Sequence, residues 1–119
     1  MKPCATLPVL LCSIAWSGSV MAHAVPERTV PVAGETLSQA PQSVTIYFDA
    51  ELEPLFSKLV VKDAQGVQIS AGTGEIAADN PRVLAARLTA AAKGAYHVYW
   101  NVVSRDGHRA RGTYGFTVR

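Results

Sequence analysis

The segment that decides the fold is AYHVYWNVV, residues 95–103. Apolar and polar residues alternate along it, so that Tyr96, Val98 and Trp100 share one face, as expected for a β-strand with one buried side. Residues 44–48, VTIYF, show the same alternation. Both segments are rich in β-branched and aromatic residues, which are enriched in strands. The sequence therefore predicts two half-buried strands at these positions.

Further short strands are predicted around these two. Apolar runs recur at roughly ten-residue spacing and are separated by turns such as Asp63–Gly66, a pattern typical of antiparallel sandwiches. Pro54 predicts a loop within residues 52–56, because proline lacks the N–H that a central strand needs. Alanines between positions 85 and 92 would also suit a helical turn, but the flanking strand pattern argues against it. The other predicted strands are 58–62, 67–70, 83–88 and 113–118, which indicates a single all-β sandwich.

The first 22 residues have the composition of a secretory signal peptide. A positive charge at Lys2 precedes a short apolar stretch, and small residues lead to Ala22. The apolar stretch is too short to span a bilayer. Two cleavage points fit the pattern, after Ala22 or after Ala24. With the first, the chain divides into a signal peptide, 1–22, and one domain, 23–119.

Composition limits what the predicted domain can do. Residues 23–119 carry ten basic and nine acidic side chains, with no feature that suggests nucleic-acid binding or a polybasic membrane contact. Both cysteines and both methionines of the chain lie within residues 1–22. The domain is therefore predicted to fold without disulfides. Any metal site in it must use nitrogen and oxygen ligands.

Cleavage after Ala22 would make His23 the first residue of the domain. Its α-amine and its imidazole could then chelate one metal ion, an arrangement called a histidine brace. The α-amine has a reference pKa of about 7.7–8.0, so a metal ion can displace its proton near neutral pH. The alternative is that histidine merely follows the cleavage site, and cleavage after Ala24 would remove it.

The loop SRDGH, residues 104–108, is the second candidate. It lies between two predicted strands, where Asp106 and His108 present an oxygen and a nitrogen donor on a rigid support. Asp-Gly is also a frequent turn dipeptide, so a hairpin with a solvated histidine is the alternative. Together with His23, the loop offers an amine, two imidazoles and a carboxylate. That set suits Cu(II), which binds most tightly among the first-row divalent metals, although zinc accepts similar ligands.

Several other polar residues are weaker candidates. His97 lies on the polar face of its strand, which predicts a surface residue rather than a secondary metal site. Two glutamates near Pro54 are candidate outer carboxylates, and three arginines flank the predicted metal site, where they could lower the Asp106 pKa or bind an acidic partner. For all of these the simpler prediction is a solvated loop. They are Glu51, Glu53, Arg105, Arg109 and Arg111.

At these residues the sequence resembles the CopC family of bacterial periplasmic copper-resistance proteins, over essentially the whole predicted domain. The resemblance depends on an ordered combination of a starting histidine, a Y-x-V-x-W strand and an S-x-D-x-H loop. It implies a cupredoxin-like or immunoglobulin-like Greek-key β-sandwich of about seven to nine strands. The matching residues are His23-Ala24, 31–34, 40–41, 44–48, 94–96, Val98, Trp100, 103–104, Asp106, His108, Gly112 and Phe116.

The resemblance also implies a ligand and a place of action. One Cu(II) ion per chain would be held in the periplasm by His23, Asp106 and His108. Of these, Asp106 would be a weaker or axial ligand, or would act partly through water. The implied partner is a CopD-like inner-membrane copper transport protein. We further predict a monomer that serves copper resistance, buffering or delivery and has no enzymatic activity.

Two departures from the family pattern affect this prediction. Some members carry a second, methionine-rich Cu(I) site, which is not expected here because residues 23–119 contain no methionine. Many relatives have a glutamate two residues after the strand phenylalanine, where this chain has Ala50. Glu51 is adjacent but out of register, so the role of that glutamate is unfilled or passes to another residue.

Two other functions fit parts of the same pattern. Copper-dependent enzymes that oxidise polysaccharides also use a histidine brace, but they need a broad substrate face and usually a longer chain. Oxidation of chitin or cellulose by the copper-loaded protein with a reductant would distinguish that class. A structural immunoglobulin-like module would bind no copper tightly and would lose nothing on His23→Ala.

Overall fold

The computed structural model describes residues 3–4 and 24–119 of the chain. Residues 24–119 form eight β-strands and one turn of 3-10 helix, joined by short connections. The 3-10 turn is Pro54–Phe56, which confirms the loop predicted at Pro54. The strands are β1 (Pro26–Val30), β2 (Thr36–Leu37), β3 (Ser43–Phe48), β4 (Lys58–Asp63), β5 (Glu75–Ala77), β6 (Asn80–Arg87), β7 (Gly94–Val103) and β8 (Arg109–Val118).

The strands form two four-stranded sheets that pack face to face. The first sheet has the strand order β1-β3-β6-β5, and the second has the order β2-β8-β7-β4. Neighbouring strands are antiparallel, apart from the parallel pair β2 and β8. The β5–β6 and β7–β8 connections are hairpins within a sheet, whereas the other connections cross between the sheets. The predicted all-β sandwich is confirmed, and its strand number falls within the predicted range.

The core lies between the sheets and follows the alternation seen in the sequence. From β3 it takes Val44, Ile46 and Phe48, and from β7 it takes Tyr96 and Val98, each at most 4% exposed. Burial of such a side chain stabilises the fold by about 1.5–3 kcal/mol. Because successive residues of a strand point to opposite faces, the intervening residues of β7 lie on the outer face of the second sheet.

Residues 67–70 do not form the strand predicted there. Gln68 pairs with Lys62 of the second sheet, whereas Ser70 pairs with Leu88, which follows β6 of the first sheet. The segment therefore crosses from one sheet to the other. An alternating run of four residues has the same pattern in a strand and in such a crossing, so the sequence prediction was wrong here.

Other differences concern strand ends and short edge strands. β1, β2 and β5 lie where no strand was predicted, at the edges of the sheets, where few side chains are buried and no alternation marks them. β8 begins at Arg109 rather than at the predicted Thr113, because it pairs with β7 along the whole length of both strands. The two long strands therefore extend to the 104–108 loop and support it from both sides.

The predicted signal peptide, 1–22, and the predicted ligand His23 lie outside the described residues, apart from Pro3 and Cys4. The domain boundary at position 23 thus stays a prediction. In the part of the chain that the structure describes, no helix is long and apolar enough to cross a membrane.

Gly112 leaves room for the indole of Trp100, its partner across the β7–β8 hairpin. A Cβ at position 112 would lie 2.3 Å from Cζ2 of Trp100, whose ring also packs edge-to-face on Phe48 at a centroid distance of 5.5 Å. We expect Gly112→Ala to lower the free energy of unfolding by about 1–3 kcal/mol, as overpacking does. Urea denaturation measures this, with Thr113→Ser, at an exposed position of the same strand, as control. An unchanged midpoint for Gly112→Ala would show that Trp100 moves aside without cost.

Candidate metal centre

The loop Ser104–His108 joins β7 to β8 at one end of the sandwich. Backbone hydrogen bonds close it, since Ser104 N donates to His108 O at 2.9 Å and Gly107 N donates to Ser104 O at 2.9 Å. Gly107 has a φ of +89°, a left-handed conformation that glycine adopts without a steric penalty. The Asp-Gly dipeptide therefore makes a tight turn, and the supporting strands fix both of its ends.

Asp106 is the centre of the hydrogen bonds in this loop. Its Oδ1 accepts from the Ser104 hydroxyl and from His108 N at 3.1 Å. Its Oδ2 lies 3.0 Å from His108 Nδ1. These contacts, the Ser104 hydroxyl first among them, lower the pKa of Asp106 from 3.8 to about 2. The carboxylate is therefore ionised at any physiological pH, and both of its oxygens face groups of its own loop.

His108 is oriented by this carboxylate. Its side chain is 35% exposed, so the ring is accessible while one edge is held within the loop. Contact with a carboxylate favours the tautomer that carries its proton on Nδ1, which makes Nε2 the nitrogen suited to a metal ion. Metal-binding histidines commonly donate their second ring N–H to a carboxylate in this way. Asp106 and His108 therefore form one unit in which the acid sets the geometry of the imidazole.

Substitution of Ser104 should reveal how the Asp106 pKa is set. We expect Ser104→Ala to raise it from about 2 toward 3.8, because the largest cause of the shift is removed. Since the folded pKa lies below the unfolded one, this carboxylate stabilises the fold above pH 3.8, and the effect is lost as pH falls toward 2. NMR titration of the Asp106 carboxyl carbon measures the midpoint, with Ser43→Ala as control. Equal midpoints in Ser104→Ala and the parent would assign the shift to the contacts with His108 instead.

Residues 24–25, which precede β1, lie at the same end of the sandwich as the 104–108 loop. Ala24 is only 1% exposed. Val25 N donates to Asp49 Oδ1 at 2.7 Å, and Asp49 N donates to Val25 O at 3.0 Å. Asp49 and Asp106 in turn line one cleft of about 320 Å³, together with other residues of 50–51 and 104–105 and with Arg82. Asp49 therefore binds Val25 and also lines the cleft that residues 104–106 border.

Asp49 is a residue that the sequence analysis did not single out. It directly follows the buried Phe48 at the end of β3, and its side chain binds the backbone of Val25. A polar residue next to the last core residue of a strand is only a weak indication of a functional role, because many loops begin in this way. Its partner is 24 positions away in sequence, so spacing alone could not have identified the contact.

Glu51 is engaged by an ion pair with Arg105. The distance from Arg105 Nη1 to Glu51 Oε2 is 3.0 Å, and Arg105 N donates to Glu51 O at 3.0 Å. Glu53 contributes through its backbone, donating from N to Val103 O at 2.8 Å. An exposed ion pair adds little stability, but these contacts together fix the 104–108 loop against the segment after β3. Ala50, at the position where many relatives are expected to carry glutamate, lines the cleft beside them.

His97 is exposed on the outer face of the second sheet, as predicted. Its neighbours in register are Lys62 of β4 and Gly115 of β8. Neither residue offers a second metal ligand at physiological pH, since the lysine ammonium has no lone pair to donate. The secondary metal site considered for His97 therefore gains no support from its surroundings.

A complete set of ligands is not assembled by the described residues. Within residues 3–4 and 24–119, no group of three or more histidine, cysteine, aspartate or glutamate side chains is placed to hold a metal ion. Asp106 and His108 come together as predicted, whereas His23 lies outside the described residues. The loop is thus a pair of candidate residues that needs additional donors.

Comparison with known proteins supplies the family. The model of the CopC domain matches residues 26–119. Protein YobA of Escherichia coli K12 is 32% identical over 102 residues, which cover 85% of this chain and 82% of that protein. Copper transport protein CutJ of Bacillus subtilis is 31% identical over 98 residues, but this match covers 82% of the chain and only 18% of CutJ.

Solved structures agree with this assignment and with the fold. CopC from Methylosinus trichosporium OB3b superposes with a TM-score of 0.75 at 31% identity, covering 81% of this chain and 93% of that one. PcoC, a methionine-rich copper resistance protein from Escherichia coli, gives a TM-score of 0.71 at 26% identity and covers 82% and 100% of the two chains. The sandwich predicted from the resemblance is thus confirmed as a cupredoxin-like one. The chain belongs to the CopC family.

Proposed function

We propose that the protein binds one Cu(II) ion at the end of the sandwich that carries the 104–108 loop and the start of the domain at Ala24. The proposed ligands are the α-amine and imidazole of His23 and Nε2 of His108. The observation that carries the proposal is the contact between Asp106 Oδ2 and His108 Nδ1 at 3.0 Å. It prepares the imidazole as a metal ligand on a loop that two long strands hold in place.

The chemistry of these groups fits Cu(II). An amine and two imidazoles are nitrogen donors of the kind that Cu(II) prefers, and donors without sulfur favour Cu(II) over Cu(I). Residues 23–119 contain no methionine, in contrast to the relative described as methionine-rich. We therefore propose a single Cu(II) site and no thioether site for Cu(I).

Asp106 acts in this proposal chiefly as a positioning residue. Both of its oxygens already face Ser104 or His108, and a carboxylate so engaged fixes the orientation of the imidazole. This role refines the sequence prediction, which treated Asp106 as a weak ligand or one acting through water. The lone pairs that remain on its oxygens leave an additional axial contact chemically open.

The anchoring of Ala24 and Val25 supports the choice of His23. One peptide bond joins His23 to Ala24, and consecutive Cα atoms are about 3.8 Å apart. Ala24 is buried, and Val25 exchanges hydrogen bonds with Asp49. A chain fixed one residue away from a ligand loses less entropy when that ligand becomes ordered on the metal.

We propose copper resistance, buffering or delivery in the periplasm as the role, without enzymatic chemistry. Relatives named as copper transport and copper resistance proteins support this role. A region like this chain makes up 18% of CutJ, a protein named for copper transport, and delivery to a CopD-like membrane transport protein is part of our proposal. Cleavage after Ala22 is part of the same proposal, since it creates the amine.

Native mass spectrometry of the protein purified from the periplasm, with one equivalent of Cu(II), tests this function. We expect a chain that begins at His23 and retains one copper ion, and an electron paramagnetic resonance spectrum of a tetragonal site with nitrogen ligands. Zn(II) added at the same concentration is the control for metal identity, because copper should displace it. A chain that begins at Val25, or one that begins at His23 and holds no copper, would contradict the proposal.

A further inference from the structure

The outer face of the second sheet is basic and carries no carboxylate. The register of β4, β7 and β8 places Lys58 and Arg111 on either side of Asn101, and Val60 and Thr113 on either side of Tyr99. The outward positions of these three strands hold no aspartate or glutamate. We call the set Lys58, Lys62, Tyr99, Arg109 and Arg111 the basic face.

Two side-chain contacts, one of them with the neighbouring Asn101, hold the basic face in a defined arrangement. Lys62 Nζ lies 5.4 Å from the ring centroid of Tyr99, within the range of a cation–π contact. Arg109 Nη1 donates to Asn101 Oδ1 at 2.8 Å. Tyr99 is nevertheless 45% exposed, and it borders a cleft of about 520 Å³ together with Lys58 and Arg111.

An exposed apolar tip adjoins this face. Leu55 and Phe56, in the 3-10 turn before β4, are 86% and 57% exposed. The turn is ordered by its own hydrogen bonds: Phe56 N donates to Glu53 O at 3.2 Å, and the buried Ser57 accepts from Val103 N at 3.2 Å. Adjacent large apolar side chains that a fixed turn holds in solvent mark an interaction site rather than a frayed loop.

The apolar tip and the basic face form one surface. Lys58, the first residue of β4, lies two positions after Phe56. Ser57 is bonded to Val103, whose partner in β8 is Arg109. The surface therefore combines two exposed apolar side chains, one tyrosine and four cations, and tyrosine and arginine are enriched among residues that dominate binding energy.

We propose that this surface is the docking site for a partner protein that presents apolar side chains flanked by acidic ones. Charge complementarity selects such a partner, because four of the ten cations of residues 23–119 lie on this carboxylate-free face of a nearly neutral domain. A second copy is disfavoured, because a two-fold contact would oppose the same cations.

An anionic lipid surface fits these observations less well. Four carboxylates lie at the end of the sandwich that carries the apolar tip, and they would approach the membrane as the tip inserted. They are Asp49, Glu51, Glu53 and Asp106, and among these only Glu51 forms an ion pair with an arginine. A protein partner can place acidic groups over the basic face and leave the opposite side open to solvent.

The surface goes beyond the copper proposal, since its residues include none of the proposed ligands. The copper-free secreted protein is titrated with a synthetic peptide that has a central leucine pair flanked by glutamates, and NMR shifts are followed. A peptide with glutamines in place of the glutamates is the matched probe. We expect shifts confined to the apolar tip and the basic face, binding that weakens with added salt, and much weaker binding of the glutamine peptide.

Variants on each part of the surface complete the test. We expect Lys58→Glu with Arg111→Glu, and separately Leu55→Ser with Phe56→Ser, to weaken peptide binding about tenfold each. The controls are Arg28→Glu with Arg87→Glu on the other sheet, and Val67→Ser at a similarly exposed apolar residue. Shifts elsewhere, equal losses in the controls, or binding to phosphatidylglycerol-containing vesicles without binding to the peptide would each overturn the proposal.

Discussion

We expect Cu(II) affinity to fall by more than about 100-fold when His108 is replaced by alanine, since loss of an outer partner of a metal ligand alone typically costs 10–100-fold. In the proposed site the imidazole would contribute a nitrogen donor that Asp106 alone could not replace, because a carboxylate is a weaker ligand for Cu(II) than an imidazole. The side chain of His108 is 35% exposed, so its truncation creates no buried cavity and the fold should persist. Competition against a chelator of known Cu(II) affinity, at fixed pH, gives the ratio.

A matched pair of variants makes this result specific. His97→Ala removes an exposed histidine from the basic sheet face and should leave the affinity unchanged. Asp106→Asn keeps the shape of the side chain but removes the charge beside His108 Nδ1, so we expect a smaller loss of about 10–100-fold. If His108→Ala and His97→Ala bound copper equally well, the 104–108 loop would not be the metal site. A loss for Asp106→Asn as large as that for His108→Ala would indicate a direct ligand role for the carboxylate.

The elements that the sequence predicted well are those with long, regular burial patterns. Val44, Ile46 and Phe48 alternate with polar residues and are all buried, and Tyr96 and Val98 do the same in β7. In these strands each side chain contacts either the core or solvent, so hydrophobicity alone encodes its orientation. The Asp-Gly turn was equally readable, because a positive φ restricts the choice of residue at Gly107.

The parts that the sequence did not predict depend on contacts between distant residues. Residues 67–70 carry a strand-like pattern, yet their backbone pairs with both sheets. No local sequence pattern indicates which sheet a segment will pair with. The short edge strands β1, β2 and β5 have few buried side chains and therefore no alternation.

The candidate site shows the same division between local and distant contacts. Asp106 and His108 are two residues apart, and their contact could be anticipated from the loop. Asp49 holds Val25 through a bond that spans 24 positions, and only the folded chain reveals it. The sequence suggested candidate ligands, which stay a prediction, whereas the fold shows what orients Asp106 and His108.

Insertion of one alanine between Ala22 and His23 separates the two donors that the proposal assigns to one residue. If cleavage still follows Ala22, the new α-amine belongs to the inserted alanine and His23 becomes the second residue. We expect Cu(II) affinity to fall by about 100-fold or more, since a direct ligand should cost at least as much as an outer partner. The copper spectrum should change as well, because the chelate ring would be different. Mass spectrometry confirms the new terminus, and chelator competition gives the affinity.

The pH profile of the parent protein tests whether an α-amine takes part in binding. The α-amine has a reference pKa of about 7.7–8.0 and must lose its proton to bind copper, so the affinity of the parent protein should fall as pH decreases through and below this range. An alanine inserted after Ala64, in the exposed turn between β4 and the crossing segment, is the matched control and should leave both affinity and profile unaltered. If the variant with the insertion before His23 bound copper as tightly as the parent and with the same pH profile, the amine of His23 would not be a ligand. The other donors to a metal ion at the 104–108 loop would then have to come from other residues.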